Sequence, residues 1–446
     1  MKLWDKGFSV DKKIEDFTVG QDREMDLYLA PFDVLGTMAH ITMLESVGLL
    51  DKSELPVLLK TLKEIYETAQ KGEFVIEETI EDVHSQVELM LTRRLGDMGK
   101  KVHSGRSRND QVLLDIKLFS RNRIEAVVLK MTRLFEALQQ KSEAHKDVLI
   151  PGYTHLQVAM PSSFGLWFGA YAESLADDLH LMLAAWNITN QNPLGAAAGY
   201  GSSFPLNRTM TTRLLGFNNL NYNVVYAQMG RGKTERAIAF GLASVAATIS
   251  RLAVDGCLYT SQNFGFIRLP NTMTTGSSIM PHKKNPDVFE LIRARCNKIQ
   301  SLGNSIGMIL NNLPSGYFRD MQVIKELFIP AFEEMLDCIE LTTYAIENME
   351  VVEGVINDPK YLYAFSVEEV NRLVLTGIPF RDAYRMVGES IEKGEFSCNT
   401  KLHHTHEGSL GNLCNSNIKI KYQETLKGFA FEKVNLAITN LLKSSD

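Results

Sequence analysis

From Gly105 to Pro151 the chain contains no internal glycine or proline, and Ile124, Val128, Met131, Phe135 and Leu138 recur at spacings of four and three. An apolar residue every three or four positions marks one face of an α-helix, and this stagger is the seam along which helices pack side by side. The segment from about Asp110 to Asp147 therefore reads as one helix, on the order of 55 Å long at 1.5 Å per residue. The same periodicity predicts long helices over roughly 162–190, 233–262, 287–312 and 320–349, with Pro330 kinking the last. Shorter helices are expected at Leu55–Gln70, 367–375 and 380–393. The fold class is all-α: an N-terminal helical domain (1–109), a central long-helix bundle (110–352) and a C-terminal helical domain (353–446). Helices this long present more apolar face than one such chain can cover, so an oligomer built on a shared bundle is expected.

Composition narrows the function. The 446 residues are 45% hydrophobic and 22% charged, with 47 basic against 53 acidic side chains and a net charge of -6. A general nucleic-acid binder is usually basic, so DNA and RNA are set aside; small anions remain open, because local basic patches govern their capture. Cys257, Cys296, Cys338, Cys398 and Cys414 are scattered and odd in number. That argues against a disulfide framework and a zinc knuckle and favours a reducing compartment. The charged opening, MKLWDKGFSVDKKIEDF, lacks the apolar run of a signal peptide, and no stretch reaches the ~18 uninterrupted apolar residues of a membrane span. A cytoplasmic protein without membrane contact is expected.

Three polar stretches interrupt the helical pattern. Thr275–Asp287 (TGSSIMPHKKNPD) places a glycine and two serines in a loop, with Lys283 and Asn285 just ahead of a helix whose N-terminus favours anions. His103–Gln111 (HSGRSRNDQ) sets Arg106, Arg108 and Asn109 at the start of the long helix, where guanidinium groups can bind carboxylates in a two-point fork. A solvated basic surface is the bland reading of that cluster. Pro151–Gln157 (PGYTHLQ) puts His155 in a turn between Thr154 and Gln157, a placement suited to proton transfer.

The order Ser-Ser-x-Met-Pro-x-Lys-x-Asn resembles the signature loop of the fumarase/aspartase superfamily, homotetramers that eliminate fumarate from succinyl-type substrates. Glu81-Asp82-Val83-His84, SGRSRNDQ, PGYTHLQ and GSSIMPHKKNPD follow one another as in argininosuccinate lyases, and Asn192–Gly195, Leu215–Phe217 and Pro379–Ala383 are similar to that family as well. The resemblance covers the chain to about Gly388. It implies cleavage of argininosuccinate to arginine and fumarate by β-elimination, with no cofactor and no metal. It also implies a homotetramer whose active sites draw their main segments from three subunits.

By the same resemblance Ser277 is the base, its alkoxide stabilised by Lys283 and backbone N–H groups of the loop, and Lys283 with Asn285 holds a substrate carboxylate. His155 acts on the leaving-nitrogen side, oriented by Glu290. Asn109 and Thr154 bind the succinyl portion, with Arg108 shaping that site. Tyr317, Gln322 and Lys325 match positions that hold the arginine-side groups and carboxylates, and Asp82 and His84 match a stretch beside the pocket.

Three departures from the family pattern stand out. An arginine usual near residue 228 is replaced by Gln228, with Arg231 nearby; Asp22 stands where a substrate-binding serine is common; and the tail at His403-His404-Thr405-His406 differs. Three histidines in four residues could bind a metal, but with no cysteine near them a polar loop is the expectation. The nearest alternatives are adenylosuccinate lyase, aspartase and fumarase, or a non-catalytic structural protein on the same fold. A more distant one is a phosphate-binding loop at Ala227–Thr234, where Ala227 replaces the first required glycine.

Overall fold

The computed structural model describes residues 11–402 and 404–444; His403 of the histidine-rich segment lies outside the described residues. The N-terminal part contains α1 (Lys12–Val19), α2 (Asp22–Leu27), α3 (Ala30–Ser46), α4 (Leu55–Gln70), α5 (Val83–Leu95) and α6 (Asp97–Lys100). The long elements are α7 (Arg108–Ala144), α8 (Phe164–Thr189), α11 (Lys233–Thr260), α12 (Asp287–Gln300), α13 (Leu302–Leu310) and α14 (Ile324–Asn348). Between α8 and α11 lie the short helices α9 (Arg208–Leu214) and α10 (Val224–Met229). The chain ends with α15 (Ser366–Leu375), α16 (Phe380–Glu392), α17 (Asn415–Leu426) and α18 (Phe431–Lys443). Extended structure is sparse: a hairpin of β1 (Leu149–Thr154) and β2 (Gln157–Ser163), and two pairings of two-residue strands.

The bundle core forms where α7 packs against α8 and α14, and α11 against α8 and α12. Every residue of the predicted seam, Ile124, Val128, Met131, Phe135 and Leu138, is buried in it. A second core joins α3, α4 and α5 to Leu114 and Leu118 of α7 and to Leu441 of α18. By length and composition α11 could cross a bilayer, yet 56% of its most apolar stretch is buried against its bundle neighbours. Pro330 lies inside α14 without ending it. The helix expected over 287–312 is broken at Ser301, whose hydroxyl bonds the Lys298 carbonyl at 2.8 Å and competes with the helix ladder. Close packing follows: a Cβ on Gly303 would lie 2.7 Å from the Phe240 ring. The stretch before Lys233 lacks the strand–loop–helix setting of a phosphate loop. Only Asn219 and Leu220 are extended, and 224–229 is helical.

The start of α7 is tied down from both sides. Ser107 caps the helix, and Asp110 completes a capping box by accepting from the Ser107 N–H at 2.9 Å. The other Asp110 oxygen accepts from Gly195 N–H (3.0 Å) and Ala197 N–H (2.8 Å). One carboxylate thus fixes the SGRSRND turn and the NPLGA loop together.

Beside it, His84 of α5 places Nδ1 2.6 Å from Asp33 of α3 and 3.4 Å from Asp115 of α7, all three side chains buried. Their donor atoms lie within 4.8 Å of one another, a spacing that a cation could also use; the 2.6 Å contact has the length of a charge-assisted hydrogen bond. Burial alone would lower the imidazole's affinity for a proton. The Asp33 and Asp115 carboxylates overcome that and raise its pKa to about 9.

Replacing Asp110 with alanine leaves three N–H groups without their acceptor, so a loss of about 3 kcal/mol is expected in urea unfolding. The folded-state pKa of His84 exceeds the unfolded value of 6.5. Its ion cluster therefore stabilises fully below about pH 6.5 and loses that contribution as pH rises through about 9, by up to ~3 kcal/mol. The fall in stability between those values should disappear in His84→Gln; a pH slope unchanged by the substitution would refute this account.

Candidate active site

A cavity of about 230 Å³ opens where α2, the start of α5, the start of α7, the segment before α11 and the segment leading into α14 converge. It is lined by seven of the residues expected from sequence: Asp82, His84, Arg108, Asn109, Tyr317, Gln322 and Lys325. Asp82 caps α5 by accepting from the Ser85 N–H at 2.8 Å, which directs its second oxygen to the Arg108 guanidinium. Burial works against its charge, but His84 and Arg108 hold its carboxyl below the usual range. Asn109, one residue on, shares the capped turn and faces the same cavity.

The opposite wall carries Lys325, buried and held by Asp26 at 2.6 Å and by Asp22. Gln322 has its amide protons committed to the Thr18 and Val19 carbonyls, at 3.0 and 3.1 Å. Arg319 reaches Thr18 O at 2.8 Å and Glu81 at 2.6 Å. Glu81 and Arg319 are pocket members that spacing alone does not mark; their only trace is a position next to Asp82 and within YFRD. Gln228 is fully buried on the Ala197 carbonyl (3.1 Å) and is not among the lining residues. Arg231, three residues later, lines the cavity, bound through Nε to Glu235 (2.8 Å) and through Nη2 to Met321 O (3.0 Å). At this edge of the cavity the bordering side chain is therefore that of residue 231 and not of residue 228.

The remaining six expected residues lie on two other surfaces of the chain. Thr154 and His155 are at the tip of the β1–β2 hairpin, where Thr154 pairs with Gln157 and the two loop residues, His155 (φ 54°) and Leu156 (φ 59°), both lie in the left-handed region. A two-residue turn of this kind normally takes asparagine or glycine. His155 and Leu156 hold this costly conformation while both side chains are exposed.

Ser277, Lys283 and Asn285 belong to a loop closed at its base by Thr275 and Asn285, whose backbones exchange hydrogen bonds of 3.3 and 2.8 Å. Within it the Ser277 hydroxyl oxygen accepts from the N–H groups of Met280 (3.1 Å) and Ile279 (3.4 Å). Thr275 is bonded to Asp287 and Asn285 reaches Gly276 O at 3.4 Å, so the loop is braced against the start of α12. Lys283 and Glu290 are exposed, and no hydrogen bond joins His155 to Glu290 among the described residues. One chain therefore presents a pocket, a histidine tip and a serine loop as three separate assemblies.

Comparison with known proteins identifies the family and the fold. A family described as lyase matches residues 7–301. The chain is 66% identical over 441 residues to the argininosuccinate lyase of Bacteroides fragilis, covering 99% of each protein. Among solved structures, EDDS lyase with bound fumarate superposes with a TM-score of 0.77 at 22% identity, covering 98% of this chain and 95% of that one. A class II fumarase from Schistosoma mansoni gives 0.71 at 15%, with 95% and 94% covered, so the fold is that of the fumarase-like enzymes. With a relative so similar along nearly its whole length, and the pocket built from the motifs that carry the likeness, the chain belongs to the argininosuccinate lyase family.

Proposed function

We propose that the protein catalyses the reversible β-elimination of argininosuccinate to L-arginine and fumarate, the step that releases arginine in its biosynthesis. The observation that carries this reading is the Ser277 oxygen, which accepts two backbone N–H groups of its own loop. Serine is a weak base unless its alkoxide is stabilised, and two fixed amide donors with a lysine six residues on supply that stabilisation.

The reaction starts when the Ser277 alkoxide takes a proton from the succinyl carbon beside a carboxylate. The electron pair passes into that carboxylate, giving a doubly charged aci-carboxylate. Each donor aimed at such a charge contributes about 3 kcal/mol in comparable sites. Lys283 and Asn285 serve this role from the loop, and Asn109 and Thr154 bind the rest of the succinyl group, with Arg108 held in place by Asp82. Collapse of the dianion forms the carbon–carbon double bond and breaks the carbon–nitrogen bond. His155, with Glu290 orienting it, gives the departing guanidine nitrogen its proton.

The three assemblies meet only if several copies associate, so the active unit is a homotetramer in which different subunits supply the pocket, the hairpin tip and the serine loop. The long helices support this: Phe240 and Leu258 of α11, Leu291 of α12, and Leu327, Leu341 and Tyr344 of α14 are apolar and exposed on the single chain.

The direct test follows fumarate by its ultraviolet absorbance, with argininosuccinate, adenylosuccinate, aspartate and malate offered in turn; turnover of another substrate with argininosuccinate inert would overturn the assignment. Ser277→Ala should lower kcat by roughly a thousandfold or more without changing the oligomeric state. Substantial residual activity would place the base elsewhere. His155→Asn, which the left-handed turn tolerates, should be similarly impaired. Co-expression of the two variants should restore part of the activity, because some mixed sites then contain both wild-type segments. No recovery in mixed tetramers would mean that each site is built from one chain.

A further inference from the structure

A second cavity, of about 630 Å³, opens between α3, the end of α4, the middle of α7 and α18. No residue borders both it and the cavity of the active site. Its size falls within the roughly 300–1,000 Å³ of small-molecule sites. Leu27, Phe32, Leu35, Leu118 and Ile438 give it apolar walls. None of its walls comes from α11, α12 or α14, the helices assigned above to subunit contact.

One charged group on this wall lacks a counter-ion. Arg121 is 2% exposed and donates to two neutral acceptors, Asn190 Oδ1 at 3.1 Å and the Leu215 carbonyl at 2.8 Å. Its guanidinium rests on the Phe217 ring, 3.9 Å from the centroid. These contacts tie α7 to the residues just past α8 and α9 and use the two terminal nitrogens. The Nε–H has no acceptor, and Arg121 forms no ion pair among the described residues. Burial, with no carboxylate opposing it, pushes the pKa of Arg121 down to about 9, so it stays protonated at neutral pH. Lys117, one turn earlier, is a second buried cation on a neutral acceptor, the Ile188 carbonyl at 3.3 Å. The other charges on the cavity wall are already engaged. Glu125 accepts from Asn435 at 2.8 Å, and Arg123 is matched by Glu333 at 3.0 Å. Arg121 thus keeps an unmatched positive charge beside an apolar chamber, and such a charge is costly until a partner is supplied. A clamp between helices needs the two bonds, not the charge.

We infer that this cavity is a second, non-catalytic binding site for a small amphipathic monocarboxylate, its carboxylate drawn to Arg121 and its hydrocarbon part against the apolar walls. A monocarboxylate brings one negative charge and no cation with it, so the charge at Arg121 is matched and no new one is left over. A medium-chain fatty acid has this chemistry: a single anionic head for a guanidinium, and a chain that gains by leaving water. The inference does not depend on the reaction assigned above, since the two cavities share no residue.

The test is isothermal titration calorimetry of the intact protein with octanoate, octylammonium and octanol, which share one chain length and differ in charge. Octanoate should bind once per chain and roughly tenfold or more tighter than either of the others, the scale of one charge-assisted contact. Saturating fumarate should leave that binding unchanged; displacement by fumarate would put octanoate in the catalytic cavity and overturn the proposal. Ile438 borders the chamber and is not a partner of Arg121. Ile438→Trp should therefore fill the space and weaken octanoate roughly tenfold or more while the Arg121 bonds stay intact. Arg121→Met should bring the preference for octanoate over octanol to near unity, and Arg121→Lys should keep most of it. If Arg121→Met does not fold, the charge series and Ile438→Trp decide the question by themselves. Equal affinity for the three compounds would sink the idea. So would octanoate binding untouched by Ile438→Trp, or no heat of binding up to millimolar octanoate.

Discussion

Asp110 accepts backbone N–H groups from Ser107, Gly195 and Ala197, and the geometry of the pocket descends from that one buried carboxylate. It fixes where α7 begins, so Arg108 and Asn109 leave the first turn toward the cavity while Arg106 turns back to Thr37 and the Val102 carbonyl. Arg108 then meets Asp82, itself placed by capping α5, and His84 locks α5 to α3 and α7. Asp82, His84 and Arg108 each use part of their hydrogen-bonding capacity on the fold while bordering the cavity. The two roles are hard to separate by mutation for that reason.

The charged side chains around the cavity are arranged in closed groups. Glu81 is shared by Arg108 and Arg319, Glu235 pairs with Arg231, and Asp33 and Asp115 enclose His84. A buried ion pair adds little net stability over an apolar pair, but removing one partner strands the other at several kcal/mol. Such groups act as positional constraints: a carboxylate or guanidinium in them has one favourable location, and substrate binding finds the donors already placed.

Much of this is legible in the chain. The stretch from Gly105 to Pro151, free of internal glycine and proline, becomes α7 at Arg108–Ala144, and the seam residues predicted from their spacing are buried. The break at Ser301 is not legible, because it comes from a side-chain hydroxyl competing for a carbonyl and from close packing at Gly303. The phosphate-loop expectation at Ala227–Thr234 falls on the helix Val224–Met229, which Asn223 caps by accepting from the Val225 and Tyr226 N–H groups. Local motifs single out Arg108 and Asn109, which line the cavity, and name Ser277 and His155 as candidates on other surfaces, but the ties of Lys325 to Asp22 and Asp26 join residues distant in sequence, and no local pattern announces them. Likewise, the sequence marks Arg231 only as a neighbour of Gln228; the fold decides which of the two faces the cavity.

The hairpin tip and the serine loop differ in how much travel their backbones permit. His155 and Leu156 close a two-residue connection with no slack, whereas residues 276–284 form a longer span closed at its base by the bridge between Thr275 and Asn285, with open space around Gly276. An imidazole on so short a tether can pivot about its own bonds but cannot be carried far. The position of the imidazole is then set by side-chain torsions alone, whereas that of the Ser277 hydroxyl also follows the backbone of the longer span.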